Sequence, residues 1–267
     1  MSIAESTFTV EVERKFLPTA YLSACLAGTA GHYDNSANRG TSGGVSNVLG
    51  FYRLLDQFIR DTYYDQQDLL SKKGIWIRRH TSHDMPMVEG LTHGADWEAK
   101  VRIGGDYTDS KFLELQGESN IRSLVKQHLP NQTVEGLSIL ADLMTQRQSW
   151  TVHEPFVEQS ADRCDDEADH YLIVVDEVTT PGGEHDRLEF RHRVGEVELT
   201  RVVEGGADVA THMTTKQQAA AEIDIAVKGF MMRYKNLFPT SPRPQGKLSA
   251  YFDWKRGPSC RDRAGGR

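Results

Sequence analysis

Two stretches of the sequence carry glutamates at alternate positions. Glu11, Glu13 and Lys15 lie in VEVERKF, and Glu196 and Glu198 lie in GEVEL. Both stretches have the period-two pattern of a strand, and side chains two apart on a strand share a face. Each stretch therefore gathers its glutamates on one side, with Lys15 in the first. The other side carries Val10, Val12 and Phe16 with Arg14 in the first case, and Val197 and Leu199 in the second. Further strand-like stretches do the same. Trp76, Arg78 and His80 align in GIWIRRH, and Glu98, Lys100 and Arg102 align in DWEAKVRI. Arg147 lies with Thr145 and Ser149 in TQRQSW, and Asp176 with Val174 and Val178 in VVDEV. Any one of them reads as the wet face of a half-buried strand. As a set they put both signs of charge on faces that can converge. Buried charges are costly unless paired or bound to a ligand. A closed barrel with a polar lumen keeps them in water and leaves no open sheet edge. Such a lumen suits a polyanion carried with a divalent metal, because carboxylates take Mg²⁺ or Mn²⁺ while Arg and Lys take phosphate oxygens.

The elements that must hold these faces are short strands with few helices. Strands are expected at Thr7–Phe16, Tyr52–Tyr64, Gly74–Thr81, Ala95–Ile103, Lys111–Gln116, Leu143–His153, Tyr171–Thr179, and Leu188–Arg193 continuing into Val197–Val203. Pro18–Gly28 suits a short helix, and Asn120 caps another that Pro130 ends by His128. A helical turn is expected near Leu137. One long helix spans Thr215–Tyr234, with Ala219, Ile223, Ala226, Val227, Phe230 and Met231 at three- and four-residue steps. His32–Gly50 is rich in turn formers and reads as a flexible insertion. Residues 1–254 form one domain, and 255–267 a disordered tail.

Composition excludes several classes. The 267 residues carry 31 Lys and Arg against 38 Asp and Glu, a net charge of −7, which argues against non-specific nucleic-acid binding. No apolar run approaches the roughly 20 residues of a spanning helix, and the N-terminus lacks a signal-peptide pattern. The expected partner is a small molecule, not a nucleic acid or a membrane, the expected location is cytoplasmic, and the expected state is a monomer. The 3 cysteines fit neither a disulfide framework nor a zinc site. There is no GxxxxGK[ST] loop, GxGxxG or HExxH.

Glu11-x-Glu13-x-Lys15 resembles the ExExK mark of the CYTH, or triphosphate tunnel metalloenzyme, superfamily. EVERKFLP, RDTYYD, GIWIRR, WEAKVR, VGEVEL and GKLSAYF follow in that family's order, and are most similar to its thiamine-triphosphatase branch. The resemblance implies an α+β, mainly β fold: an eight-stranded antiparallel closed barrel with surrounding helices, gripping a triphosphate along its axis. It implies metal carboxylates at Glu11, Glu13, Asp176, Glu196 and Glu198, and phosphate-binding cations at Lys15, Arg78, Lys100, Arg147 and Lys247. Arg102 shares the face of Lys100 and joins them. The segment bearing Lys247 must then fold back over the tunnel. Trp76 and Tyr63 are the candidates for the organic end of the substrate, with a core role the alternative for Tyr63. The implied activity is Mg²⁺-dependent hydrolysis of thiamine triphosphate, with Mn²⁺ as a substitute. An inorganic triphosphatase and a non-catalytic triphosphate-binding module are the alternatives. Lys15 is a candidate proton acceptor if neighbouring cations depress its pKa; a metal-held water is the other route. His80 stands where related enzymes often have Arg.

Overall fold

A computed structural model describes residues 7–27, 30–34, 48–84, 96–153, 171–182, 189–204 and 209–257. Its strands are β1 (Thr7–Phe16), β2 (Ala30–Asp34), β3 (Val48–Arg53), β4 (Gln57–Asp65), β5 (Ile75–Asp84), β6 (Asp96–Gly105), β7 (Asp109–Gln116), β8 (Ser138–His153), β9 (Tyr171–Thr179) and β10 (Arg191–Glu204). Its helices are α1 (Ala20–Cys25), α2 (Glu118–His128), α3 (Val209–Arg233) and α4 (Lys247–Arg256). Eight strands run in the order β8-β4-β5-β6-β7-β1-β10-β9, and β9 pairs back onto β8. The ring is antiparallel and closed, as the sequence predicts.

The expected strand Tyr52–Tyr64 divides in two. β4 takes the edge of β8 over Ser138–Arg147, and β3 continues along that edge against Trp150–His153. Between them Arg53 donates to Asp56 Oδ1 at 2.8 Å. β2 pairs with β3 in antiparallel register. The two ends of the predicted insertion are thus strand, while its middle, 35–47, lies outside the described residues. The predicted tail is outside them from residue 258 onward, and α4 runs to Arg256.

This barrel is apolar outside and charged inside. Helices cover the apolar exterior. Val10 and Val12 of β1 and Val197 and Leu199 of β10 pack with Ile223, Val227 and Phe230 of α3, and Leu22 of α1 joins this cluster. Fully burying one such side chain stabilises the fold by roughly 1.5–3 kcal/mol. Arg14 shares the outer face of β1 and is answered there by Asp224 of α3 at 2.6 Å. Gly195 of β10 lies opposite Phe16. A Cβ at Gly195 would stand 2.2 Å from the Phe16 ring, so only glycine admits that ring. A second cluster seats Ile121, Leu124 and Val125 of α2 on Ile75, Ile77 and Ala99. α2 starts before the expected Asn120 cap. Gly117, at φ +87°, turns the chain out of β7, and Asn120 instead donates to the Gln116 carbonyl at 2.8 Å from inside the helix. Near Leu137 the expected turn is a 3₁₀ turn over Val134–Gly136. α3 begins at Val209, ahead of the expected Thr215. Among the described residues no helix is long and apolar enough to cross a membrane.

Candidate functional site

The lumen holds a cavity of about 630 Å³, lined by β1, β4, β5, β6, β7, β8, β10 and α4. Strand alternation brings the charged groups there. Glu11, Glu13 and Lys15 point inward because Val10 and Val12 point to α3. The β1–β10 register sets Glu13 opposite Glu198 and Lys15 opposite Glu196. Lys100 and Arg102 enter from β6, Trp76, Arg78 and His80 from β5, and Arg147 from β8. α4 crosses the cavity, with Lys247 in its first turn and Ser249, Phe252, Asp253 and Arg256 along its lining face. Its approach is close: a Cβ at Gly246 would stand 2.8 Å from Lys15 Cε. The expectation that the Lys247 segment folds back is thereby met with a helix.

The charges pair with one another. Lys15 Nζ donates to Glu13 at 2.5 Å and faces Glu196 at 3.2 Å. Lys100 bridges Glu11 and Glu13, the latter at 3.4 Å, with Glu114 at 3.6 Å. Arg147 donates two 2.8 Å bonds to Asp176. Arg78 donates to Glu98 at 2.8 and 3.0 Å and to Asp61 at 3.3 Å. Lys247 donates to the same Asp61 oxygen at 2.8 Å. Arg102 is different: among the described residues it has no carboxylate partner. Its Nε is buried without a hydrogen-bond partner, and its guanidinium lies 4.2 Å from the Tyr107 ring centroid.

Three of the five predicted metal carboxylates converge. Oxygens of Glu11, Glu13 and Glu198 lie within 4.8 Å of one another, and all three residues are buried. Burial, against the pull of Lys100, raises Glu11 to about 7. Burial holds Glu198 well above the carboxylate range despite Arg147, and the nearby Glu11 adds to the rise. Burial and Glu196 push Glu13 up, but Lys15 and Lys100 outweigh them and hold it below its usual value. Two acids that resist ionisation, Glu11 and Glu198, crowded beside the ionised Glu13, fit a hard divalent cation, which would neutralise their repulsion. The other two predicted ligands stand outside this cluster, Glu196 beside Lys15 and Asp176 beside Arg147.

The condition attached to Lys15 as proton acceptor is not met. Burial alone would lower its pKa, but the Glu13 and Glu196 carboxylates raise it above the lysine range. Its neighbours are acids, so the ammonium is held charged.

Trp76 lines the cavity and stands half-buried beside Lys100 across the β5–β6 register. Tyr63 also reaches the cavity wall, yet its ring packs with Ala141, Leu143 and Phe190. The sequence reading gave no role to Asp61, Glu98 or Glu114. Glu98 shares a face with Lys100, a signal that was available. Asp61 is fully buried, and Arg78, Lys247 and His80 converge on it. Burial would raise it, but Arg78 and Lys247 hold its carboxyl well below the usual range.

No family model matches the chain, and neither does any curated protein. Solved structures do. A candidate adenylyl cyclase from Hippeastrum, described as having a dominant triphosphatase activity, is 10% identical. The match covers 93% of this chain and 96% of that one, with a TM-score of 0.43. A candidate adenylate cyclase from Vibrio parahaemolyticus is 12% identical, over 93% and 98% of the two chains, with a TM-score of 0.38. A protein from Pyrococcus horikoshii is 13% identical, over 82% and 89%, with a TM-score of 0.38.

Proposed function

We propose that this chain is a metal-dependent hydrolase of a linear triphosphate, with thiamine triphosphate as the substrate and thiamine diphosphate and phosphate as products. One observation carries the reading. Lys15, Arg78, Lys100, Arg102, Arg147 and Lys247, from β1, β5, β6, β8 and α4, all line one cavity that also contains the Glu11, Glu13 and Glu198 cluster. A chain of three phosphoryl groups carries about four negative charges, and cations spaced along a bore bind it and fix it in line. Mg²⁺ or Mn²⁺, held by Glu11, Glu13 and Glu198, would neutralise phosphate charge and make bound water more acidic.

The protein's own groups do the rest. Arg147 and Arg78 offer planar forks that match phosphate oxygens. Arg102 meets an anion without first giving up a carboxylate. Lys247 brings α4 over the bound chain and limits water. Trp76 supplies a ring face for a cationic thiazolium, a contact of roughly 0.5–2 kcal/mol.

Tripolyphosphate is the second reading. It is favoured by Tyr63, whose ring is held in the apolar cluster and leaves Trp76 without that second aromatic partner. Phosphate release from thiamine triphosphate, tripolyphosphate and ATP, in Mg²⁺ and in Mn²⁺, tests both. Thiamine triphosphate should be preferred, and Trp76→Ala should erase the preference. Preference for tripolyphosphate in the wild type would select the second reading, and no release from any of the three would reject the hydrolase.

A further inference from the structure

Hydrolysis releases a proton from the attacking water, and the cavity contains an imidazole placed to take it. His80 lines it from β5, and among the described residues it is the one imidazole to do so. Its Nδ1 lies 2.8 Å from Oδ1 of Asp61, its cross-strand partner on β4. Asp61 is fully buried and His80 is not: their side chains are 0% and 22% exposed. The carboxylate therefore occupies the inner nitrogen. Nε2 is the ring nitrogen that remains, and no hydrogen-bond partner meets it among the described residues. A carboxylate on Nδ1 fixes the tautomer with its proton there and leaves Nε2 a lone pair. We propose that His80 is the catalytic proton acceptor of this site and that Asp61 is its positioning residue. This rests on the hydrolase reading above.

In the step, a water oxygen forms a bond to the terminal phosphorus. The bond from that phosphorus to the bridging oxygen breaks, and its electron pair leaves with the diphosphate. The water proton passes to His80 Nε2 and then to solvent. Asp61 is shared in the substrate-free state. Arg78 of β5 and Lys247 of α4 also contact it, the Tyr63 hydroxyl of β4 lies 3.5 Å away, and Glu98 of β6 takes the rest of the Arg78 fork. Phosphate oxygens compete for Arg78 and Lys247. Once they draw those cations away, the Asp61 carboxylate is left to hold the His80 ring by Nδ1. Substrate binding thus prepares the acceptor.

His80→Arg separates this role from phosphate binding. Arginine keeps and strengthens a cationic grip but cannot take a proton near neutral pH. The full-length variant, with Mg²⁺, should keep KM and the calorimetric affinity for tripolyphosphate within about threefold while kcat falls about 100-fold or more. The acid limb of the wild-type kcat–pH profile should vanish in the variant. His80→Asn should lose kcat to a similar degree with an unchanged melting temperature, which separates chemistry from folding. Wild-type kcat and pH profile in His80→Arg would overturn the assignment alone. Failure of the wild type to release phosphate from any triphosphate would overturn the hydrolase reading and this assignment together.

Discussion

A metal held by the acidic cluster would bind with an affinity that depends on pH, and the size of the effect follows from the site. Glu11 has its pKa raised to about 7 by burial. A protonated carboxyl is no metal ligand, so metal and proton compete for it. The ionised fraction of Glu11 is about 10% at pH 6, about half at pH 7 and about 90% at pH 8. Through Glu11 alone, affinity for Mn²⁺ or Mg²⁺ should therefore rise about tenfold from pH 6 to pH 8. Glu198, also held above its ordinary range, makes the rise steeper. Binding at pH 7 should expel about half a proton from Glu11, with Glu198 adding to the release. Calorimetric Mn²⁺ titrations at pH 6, 7 and 8, in buffers of different ionisation enthalpy, measure both quantities. Glu11→Gln should weaken binding and flatten the slope. Affinity independent of pH, with no proton released, would refute the cluster as the metal site.

Three further outcomes are expected. Lys15→Met leaves Glu13 and Glu196 facing each other without their shared cation, which should cost about 3–5 kcal/mol at pH 7 and less at pH 5, where the acids can protonate; urea unfolding that matches wild type at pH 7 would contradict the pairing. Gly246→Val drives a side chain into Lys15, so α4 should lift, its amide protection should fall, and tripolyphosphate should bind about tenfold more weakly; unaltered amide exchange across α4 would show that its close approach is unimportant. Gly195→Ala forces a methyl group against the Phe16 ring, outside the lumen, and should cost about 1–3 kcal/mol seen as a lower melting temperature, with Mn²⁺ affinity unchanged.

Strand alternation made most of the lumen readable. Val10 and Val12 beside Glu11 and Glu13 state which face goes where, and the same holds for Val197 and Leu199 beside Glu196 and Glu198. Asp61 escaped because β4 has no clean face. Ile59, Asp61 and Tyr63 look inward while Arg60, Thr62 and Tyr64 look outward, so polarity does not alternate. The division of Tyr52–Tyr64 into β3 and β4 depends on β8, roughly 90 residues away, whose edge both must share. β2 and the start of β3 are too short to show a period. α4 was not legible as a helix because its first two turns meet protein on one side and the cavity on the other. Ala250 is buried in one cluster while Phe252 and Asp253 line the bore. Which carboxylates take cations and which crowd together depends on cross-strand register, and a single chain of letters does not display it.

The mutual pairing of lumen charges has a consequence for selectivity. Before any ligand arrives, nearly every cation already has an internal anion, so binding is a partner exchange and not the filling of an electropositive hole. A lone orthophosphate can satisfy only a few of the groups it displaces and leaves stranded carboxylates behind. A longer polyanion that arrives with its own divalent counter-ion re-partners both halves of the broken pairs at once. Under the proposed function, discrimination would come from counting charges, and monophosphates would bind weakly without any group built to reject them.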